Sequence, residues 1–402
     1  MGLPTHLSPA DVIELGRELD SIRNEVMDSR GDLDRAYILK MIRVQRTLAL
    51  GARVTMFLSM WLLPVLGLPE GSWLRSGALL ALGAAMLGLA KIIENMEIGH
   101  NVMHAQWDWM RDPEIQSNTW EWDNVCPSDQ WKHSHNVVHH TWTTVIGKDP
   151  DVGYGVFRVT EEQPWHPRYL AQPLGNFLLM LLFEWGVAIH DLEPEKLISG
   201  EKKLSSVRPM LKRIRWKASR QLLKDIVLWP ALGALLALVA ARLVHADLAL
   251  SSAIAFGWVA LGNTVANLIR NVWSNMIIFC GHFPSGVHHF TEAEVEGETR
   301  AAWYVRQLLG SCNIGGSKLF HILSGNLSHQ IEHHLFPDMP SNRYPEIAPR
   351  VRALAARYDL PYNTGSLSRQ FGTTTWKIWR LALPGGNFRA ASATSTSGHV
   401  GS

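Results

Sequence analysis

The chain has 402 residues, of which 47% are hydrophobic and 18% charged, and it carries 17 tryptophans. That balance argues against a wholly soluble chain of two or three domains, and the net charge of +2 gives no reason to expect a nucleic-acid partner. Three scattered cysteines, Cys126, Cys280 and Cys312, exclude a disulfide framework or a CxxC metal site and fit a reducing compartment.

Residues 1–47 interleave acidic and basic residues with apolar ones at helical spacing and lack the apolar core of a secretory signal, which predicts a cytosolic N-terminal helical segment. A membrane domain follows over 48–350. Val54 to Pro69 and Ser76 to Ala90 are uncharged apolar runs joined by the turn-forming EGSWLR. Each falls short of the ~20 residues a bilayer requires, so Arg53 and Lys91 are expected to snorkel and extend them into spans at about 54–69 and 76–97. A second pair of runs predicts spans at about 226–244 and 248–270. The short apolar run around Phe177 predicts a helix lying at the interface over about 172–190. A C-terminal cytosolic segment covers 351–384, and the small, polar stretch 385–402 reads as a disordered tail.

Orientation follows from the basic residues near the span ends. Nine Lys and Arg fall between Lys202 and Lys224, whereas the two outer turns carry Arg75 and Arg242. The bulky loops and both termini are therefore expected on the cytosolic side. The fold class read here is an all-α membrane protein: four transmembrane helices as two hairpins under a cytosolic helical cap. Six tryptophans between Trp107 and Trp142 are expected where that cap meets the headgroup layer.

Three histidine boxes fall on the same side. His100 and His104 form HNVMH, His135, His139 and His140 lie in WKHSHNVVHH together with His133, and His329, His333 and His334 form HQIEHH. On a helix, residues i and i+4 share a face while i+5 is turned a further ~100°, so the central box is expected to offer imidazoles in two directions. Neutral imidazole is a borderline-soft ligand suited to iron, zinc, copper and nickel. Its second nitrogen needs an acceptor to fix the tautomer, and Glu97, Asp123, Asp149 and Glu332 are the nearby candidates. A stripe of Asn263, Asn267, Asn271 and Asn275 at i+4 spacing should face the protein interior.

The three boxes across two apolar hairpins resemble the membrane fatty acid desaturases, and HNVVHH with QIEHHLFP (Gln330 to Pro337) is similar to bacterial acyl-CoA or acyl-lipid desaturases of the front-end type. The resemblance covers roughly residues 50 to 350. It implies a histidine-rich di-iron site, two iron ions cycling between Fe2+ and Fe3+, with O2 as co-substrate and a cis double bond as product. It implies as ligands His100, His104, His135, His139, His140, His329, His333 and His334. It adds His282 from CGHFP, with Asn275 and His133 as further possibilities and His288, His289 and His321 behind them. Many front-end members carry a fused cytochrome b5 with an HPGG haem motif, and HPGG does not occur here. Electrons are then expected from a separate donor, a ferredoxin or cytochrome type with an NAD(P)H reductase, and Lys202 to Lys224 is a candidate contact for that donor, for acyl-CoA phosphates or for anionic lipid. The implied protein is a multi-pass enzyme, with its site on the cytosolic face of a bacterial inner membrane. Two rivals stay open: a histidine-box hydroxylase, and a metal transporter, which would place ionisable ligands inside the spans.

Overall fold

A computed structural model describes residues 4, 6–66, 68 and 71–384; the expected tail, 385–402, lies outside them. Helix α1 (Pro9–Asp28) starts at Ser8, which caps Asp11 reciprocally, with Pro9 as the first helical residue. Helix α2 (Asp32–Trp61) then runs without a break through the boundary expected at residue 47. Helix α3 (Trp73–Met103) returns against it. Helix α4 (residues 128–142) carries the central histidine box, and α5 (Gln172–Leu181) and α6 (Phe183–His190) follow. The long helices α7 (Leu204–Leu243) and α8 (Leu248–His282) form a second hairpin beside α3.

Among the described residues three helices, α3, α7 and α8, are long and apolar enough to cross a membrane, and a fourth crossing arises if the segment Pro167–Leu181 and α6, bent by 106°, count as one. This differs from the four spans expected. The apolar run 54–69 is divided because α2 ends at Trp61, ahead of Pro64, and the first half of α2 is charged. The interfacial helix expected over 172–190 breaks at Leu182. The span read at 76–97 lies within α3, and that read at 226–244 lies within α7 but for its last residue, which caps the helix. The span read at 248–270 continues as helix to His282, which carries the asparagine stripe and a further histidine toward the boxes.

A separate core joins the N-terminal helix to the third histidine box. Leu15 and Leu19 of α1 pack with Val305 and Leu308 of α9 (Arg300–Leu309), Ile331 and Leu335 of α10 (Gln330–Leu335) and Val351 of α11 (Tyr344–Arg357). Helix α12 (Leu367–Leu381) packs on α8. One exception to the all-α class is a parallel pair of short strands, β1 (Asn313–Gly315) and β2 (Thr364–Ser366), with Ile314 opposite Gly365.

Burial corrects two expectations about polar and aromatic residues. Arg53 and Lys91 do not snorkel: both are buried, Lys91 lying 3.0 Å from Asp225 and 3.2 Å from Asp123, and Arg53 bonding Asn263 beside Asp225. Trp107, Trp122 and Trp131 are buried in hydrophobic clusters of the protein interior. The asparagine stripe does face inward. Asn263 and Asn267 donate to Asp225, and Asn271 donates to the Leu181 carbonyl. The three cysteines are free and buried.

Candidate metal centre

Two of the histidine boxes sit where a helix widens into π form, over Ile93–His100 and Lys132–His139. In the second, the His140 N–H donates to the carbonyl of His135, five residues back. A wider turn brings residues i, i+4 and i+5 toward one side, which is why π segments recur at functional sites. The rings of His135, His139 and His140 lie with centroids 4.9 to 5.4 Å apart. The third box reaches them through two close approaches at glycines. A Cβ on Gly281 would stand 2.9 Å from Gln330 Oε1, and one on Gly325, whose φ is +70°, would stand 2.6 Å from the Met96 carbonyl oxygen. At Gly325 the positive φ and the Met96 backbone leave room only for glycine, whereas at Gly281 the Gln330 side chain would have to shift.

Seven imidazoles fall into two groups, within each of which the ligand atoms lie within 4.8 Å of one another: His100, His104, His135 and His333 in one, His139, His282 and His334 in the other. His140 lies between them, its ring centroid 4.7 Å from that of His104 and 4.6 Å from that of His334. His282 Nε2 is 3.2 Å from both His139 Nε2 and His334 Nε2, and His100 Nε2 is 3.4 Å from His135 Nε2. Such spacings suit neighbouring ligands that share one cation roughly 2.0–2.1 Å from each nitrogen.

The other nitrogens are fixed by hydrogen bonds. His100 Nδ1 donates to Asn101, His139 Nδ1 to Asp149 at 3.0 Å, His282 Nδ1 to the Ile278 carbonyl, His333 Nδ1 to the Tyr344 hydroxyl, and His334 Nδ1 to Gln307. This leaves Nε2 of each ring free to face the cluster, the arrangement by which acceptors behind a ligand set its tautomer and direction. His104 Nε2, His333 Nε2 and both nitrogens of His140 are buried with no hydrogen-bond partner, a cost of about 1–3 kcal/mol each unless something binds there. Burial holds His140, His333 and His334 well below the ordinary histidine range, so they are neutral donors. Burial also acts to lower His139, but Asp149 and Asp151 outweigh it and raise it to about 9, so a cation at that ring replaces a proton. The donor set fits a pair of transition-metal ions.

The remaining candidates lie elsewhere. His329 is outside both groups, stacked on His321 with centroids 4.5 Å apart. His133 is exposed, and His288 and His289 belong to neither group. Asn275 is buried two turns before His282 with its side-chain nitrogen unpartnered. Of the four carboxylates considered as supports, Asp149 alone bonds a grouped histidine. Glu97 accepts from Tyr37, Asn326 and Ser341, Glu332 from Asn313 and Tyr362, and Asp123 pairs with Lys91 and Lys224. Asp151 escaped the sequence reading, although it stands two residues beyond Asp149. It lies 3.7 Å from His135 Nδ1 and accepts from His190 Nε2 at 3.0 Å. No spacing in the sequence pointed to His190, Gln307 or Tyr344.

A narrow cavity of about 70 Å³ touches His100, His135 and His282, and Met96, Trp131, Tyr154, Phe183, Ile278 and Leu327 supply apolar wall. Trp131 also stacks on His135 at 4.4 Å, so the aromatic wall of the cavity and the orientation of a ligand are set by one side chain.

Buried imidazoles in two groups, a cavity with apolar wall and a bundle of membrane-length helices define a membrane-embedded metal enzyme. The sequence model of the fatty acid desaturase family matches residues 72–366, and the chain belongs to that family and is a fatty acid desaturase. Among curated relatives, the NADPH-dependent stearoyl-CoA 9-desaturase of Mycobacterium tuberculosis is 45% identical over 379 residues, 94% of this chain and 82% of the relative. Human fatty acid desaturase 3 is 26% identical over 78% of this chain and 62% of its own length. The acyl-lipid (7-3)-desaturase of Rebecca salina is 28% identical over 56% of this chain and 46% of its own length.

Proposed function

We propose that the chain is an oxygen-dependent di-iron desaturase that introduces a cis double bond into a saturated acyl chain carried by CoA, near carbon 9 of a stearoyl-length substrate. The observation that carries this is the pair of histidine groups at a narrow, partly apolar cavity; the name of the mycobacterial relative supports the substrate and position. Iron bound there would supply the oxidising power to remove two hydrogens from an unactivated chain, using O2 and two electrons, chemistry beyond side-chain acids and bases. His100, His104, His135 and His333 would hold one ion and His139, His282 and His334 the other, with His140 between them.

The protein's own work is positional. Met96, Phe183, Ile278 and Leu327 bind methylenes and exclude water, while Trp131 holds the His135 ring. Asp149, Gln307 and Tyr344 keep three Nε2 atoms directed at the ions. Electrons come from a separate donor with an NADPH-consuming reductase, as the relative's name suggests, whether of ferredoxin or cytochrome type. Two hairpins in the membrane, with the histidines on the cytosolic face of a bacterial inner membrane, account for the nine basic residues of Lys202 to Lys224.

The test is expression in a host fed stearate, followed by mass spectrometry of its acyl chains and metal analysis of the purified protein. A cis-9 monoene with about two irons per chain supports the proposal. A hydroxylated chain would make this a hydroxylase, and an unsaturated lipid formed with CoA esters bypassed would move the head group to acyl-lipid.

A further inference from the structure

A second cavity, of about 430 Å³, opens on the flank of the bundle between α2, α3 and α7 and shares no lining residue with the cavity at the histidines. Its lining is graded along all three helices. Toward the histidine end stand Gln45, Lys91 and Lys224; farther along the same helices stand Phe57, Leu87 and Trp229. Gln45 and Phe57 are about 18 Å apart at helical rise. Leu50 and Val54, on its wall, are 67% and 48% exposed, so the cavity opens sideways onto apolar surface.

The polar end is basic. Arg53, Lys91 and Lys224 line it against one carboxylate, Asp123, while Asp225 stands outside the lining and pairs with Lys91 and Arg53. Arg53 and Lys91 are buried at 9% and 4% exposure. Arg53 Nη2 is 3.6 Å from Asp225, beyond hydrogen-bond length, and the guanidinium lies 4.4 Å over the Trp229 ring. A lysine brings three donors, so Lys91 and Lys224 keep capacity beyond their bonds to Asp123 and Asp225.

We propose that this cleft binds an anionic membrane phospholipid, its phosphodiester among Lys91, Lys224 and Arg53 and one acyl chain along Leu50, Val54 and Phe57. A phosphodiester carries a negative charge that complements a lining of three cations and one carboxylate. The grading of the cleft matches an amphiphile, and basic pockets between membrane helices are the recurring form of such sites. The site is separate from the histidine cavity, so it stands whether or not the substrate assignment above holds.

The experiment is native mass spectrometry of the full-length, metal-loaded protein in detergent, with phosphatidylglycerol or phosphatidylcholine added. Wild type should retain phosphatidylglycerol preferentially. Lys224→Gln should lower that retention about fivefold, a lysine's usual share near an anionic surface. Val54→Trp should abolish it by filling the cleft, with metal content and helical melting unchanged. Because Val54 is half exposed, this variant tests the site even if Lys224→Gln misfolds. Equal retention of the two lipids, or indifference to both variants, would overturn the proposal. Displacement by stearoyl-CoA would overturn it in favour of a substrate entrance, and equal competition by inorganic phosphate in favour of a small-anion site.

Discussion

The bundle buries two polar clusters, and they differ in what they leave unsatisfied. The histidine centre has five Nδ1 atoms bonded outward and its Nε2 atoms converging, while His104 Nε2, His333 Nε2 and both nitrogens of His140 have no partner. The Arg53, Lys91 and Asp225 cluster is knit internally, Asp225 taking bonds from Lys91, Asn263 and Asn267. The first is a set of donors awaiting a cation, and removing a member removes a ligand. The second is an ion network whose members hold one another, and removing one strands a charge. Burial alone does not distinguish them; the direction of the orphaned atoms does.

The largest effect should come from His140, the ring between the two groups. His140→Ala should reduce turnover by more than the ~100-fold typical of losing even an outer partner of a metal ligand, with iron per chain falling in plasma emission analysis. His329→Ala, one box residue that stacks on His321 instead, should keep both irons. Equal iron loss in the two variants would erase the division of the third box seen here.

Asp225→Ala should act on the other cluster. It leaves Lys91 with Asp123 alone and Arg53 with Asn263, and stranding a buried charge costs about 3–5 kcal/mol. Thermal melting should fall steeply while the iron content of the folded fraction stays at the wild-type level. Loss of iron at unchanged stability would mean that the two clusters are one functional unit.

A smaller effect is expected at the acceptor behind a ligand. Asp149→Asn keeps the size of the side chain but weakens its hold on His139 Nδ1, so activity should drop about 10- to 100-fold. Weaker iron retention on dialysis against a chelator should accompany the drop. Unchanged retention would reduce Asp149 to its other role, accepting from the Thr144 N–H.

The histidine side of this comparison was legible in the sequence because ligand spacing is local. Seven of the nine proposed ligands appear in one or other group, and His282 was reachable from CGHFP through the family resemblance. What spacing could not convey was the π-helical turn that sets His140 beside His139, or the long-range supports Gln307, Tyr344 and His190. The ion cluster was nearly invisible. Arg53 and Lys91 at the ends of short apolar runs read as snorkelling because their partner Asp225 lies far away in the chain. The first expected span, 54–69, is not among the helices of membrane length and apolarity within the described residues, since α2 ends at Trp61 ahead of Pro64 in a run that composition alone treats as continuous.

The smallest effect concerns the surface of α7. Within the basic segment, Arg213 pairs with Asp129, Lys217 with Glu121 and Lys224 with Asp123, so these residues fasten α7 to the loop before the central box. Lys212 and Arg215 are exposed on the same helix and, among the described residues, form no ion pair with the chain. They are the residues through which this face would meet an acidic electron donor. Reversing both to glutamate should leave iron content and melting unchanged, since surface charges contribute about 0–1 kcal/mol to stability. It should slow turnover with a reconstituted reductase system at low salt, and the difference from wild type should vanish as salt rises, because exposed charges are screened beyond about 8 to 10 Å at physiological ionic strength. If the reversed variant couples as well as wild type at low salt, donor docking lies elsewhere, and the helix is basic because its pairs anchor the loop and its end meets anionic lipid.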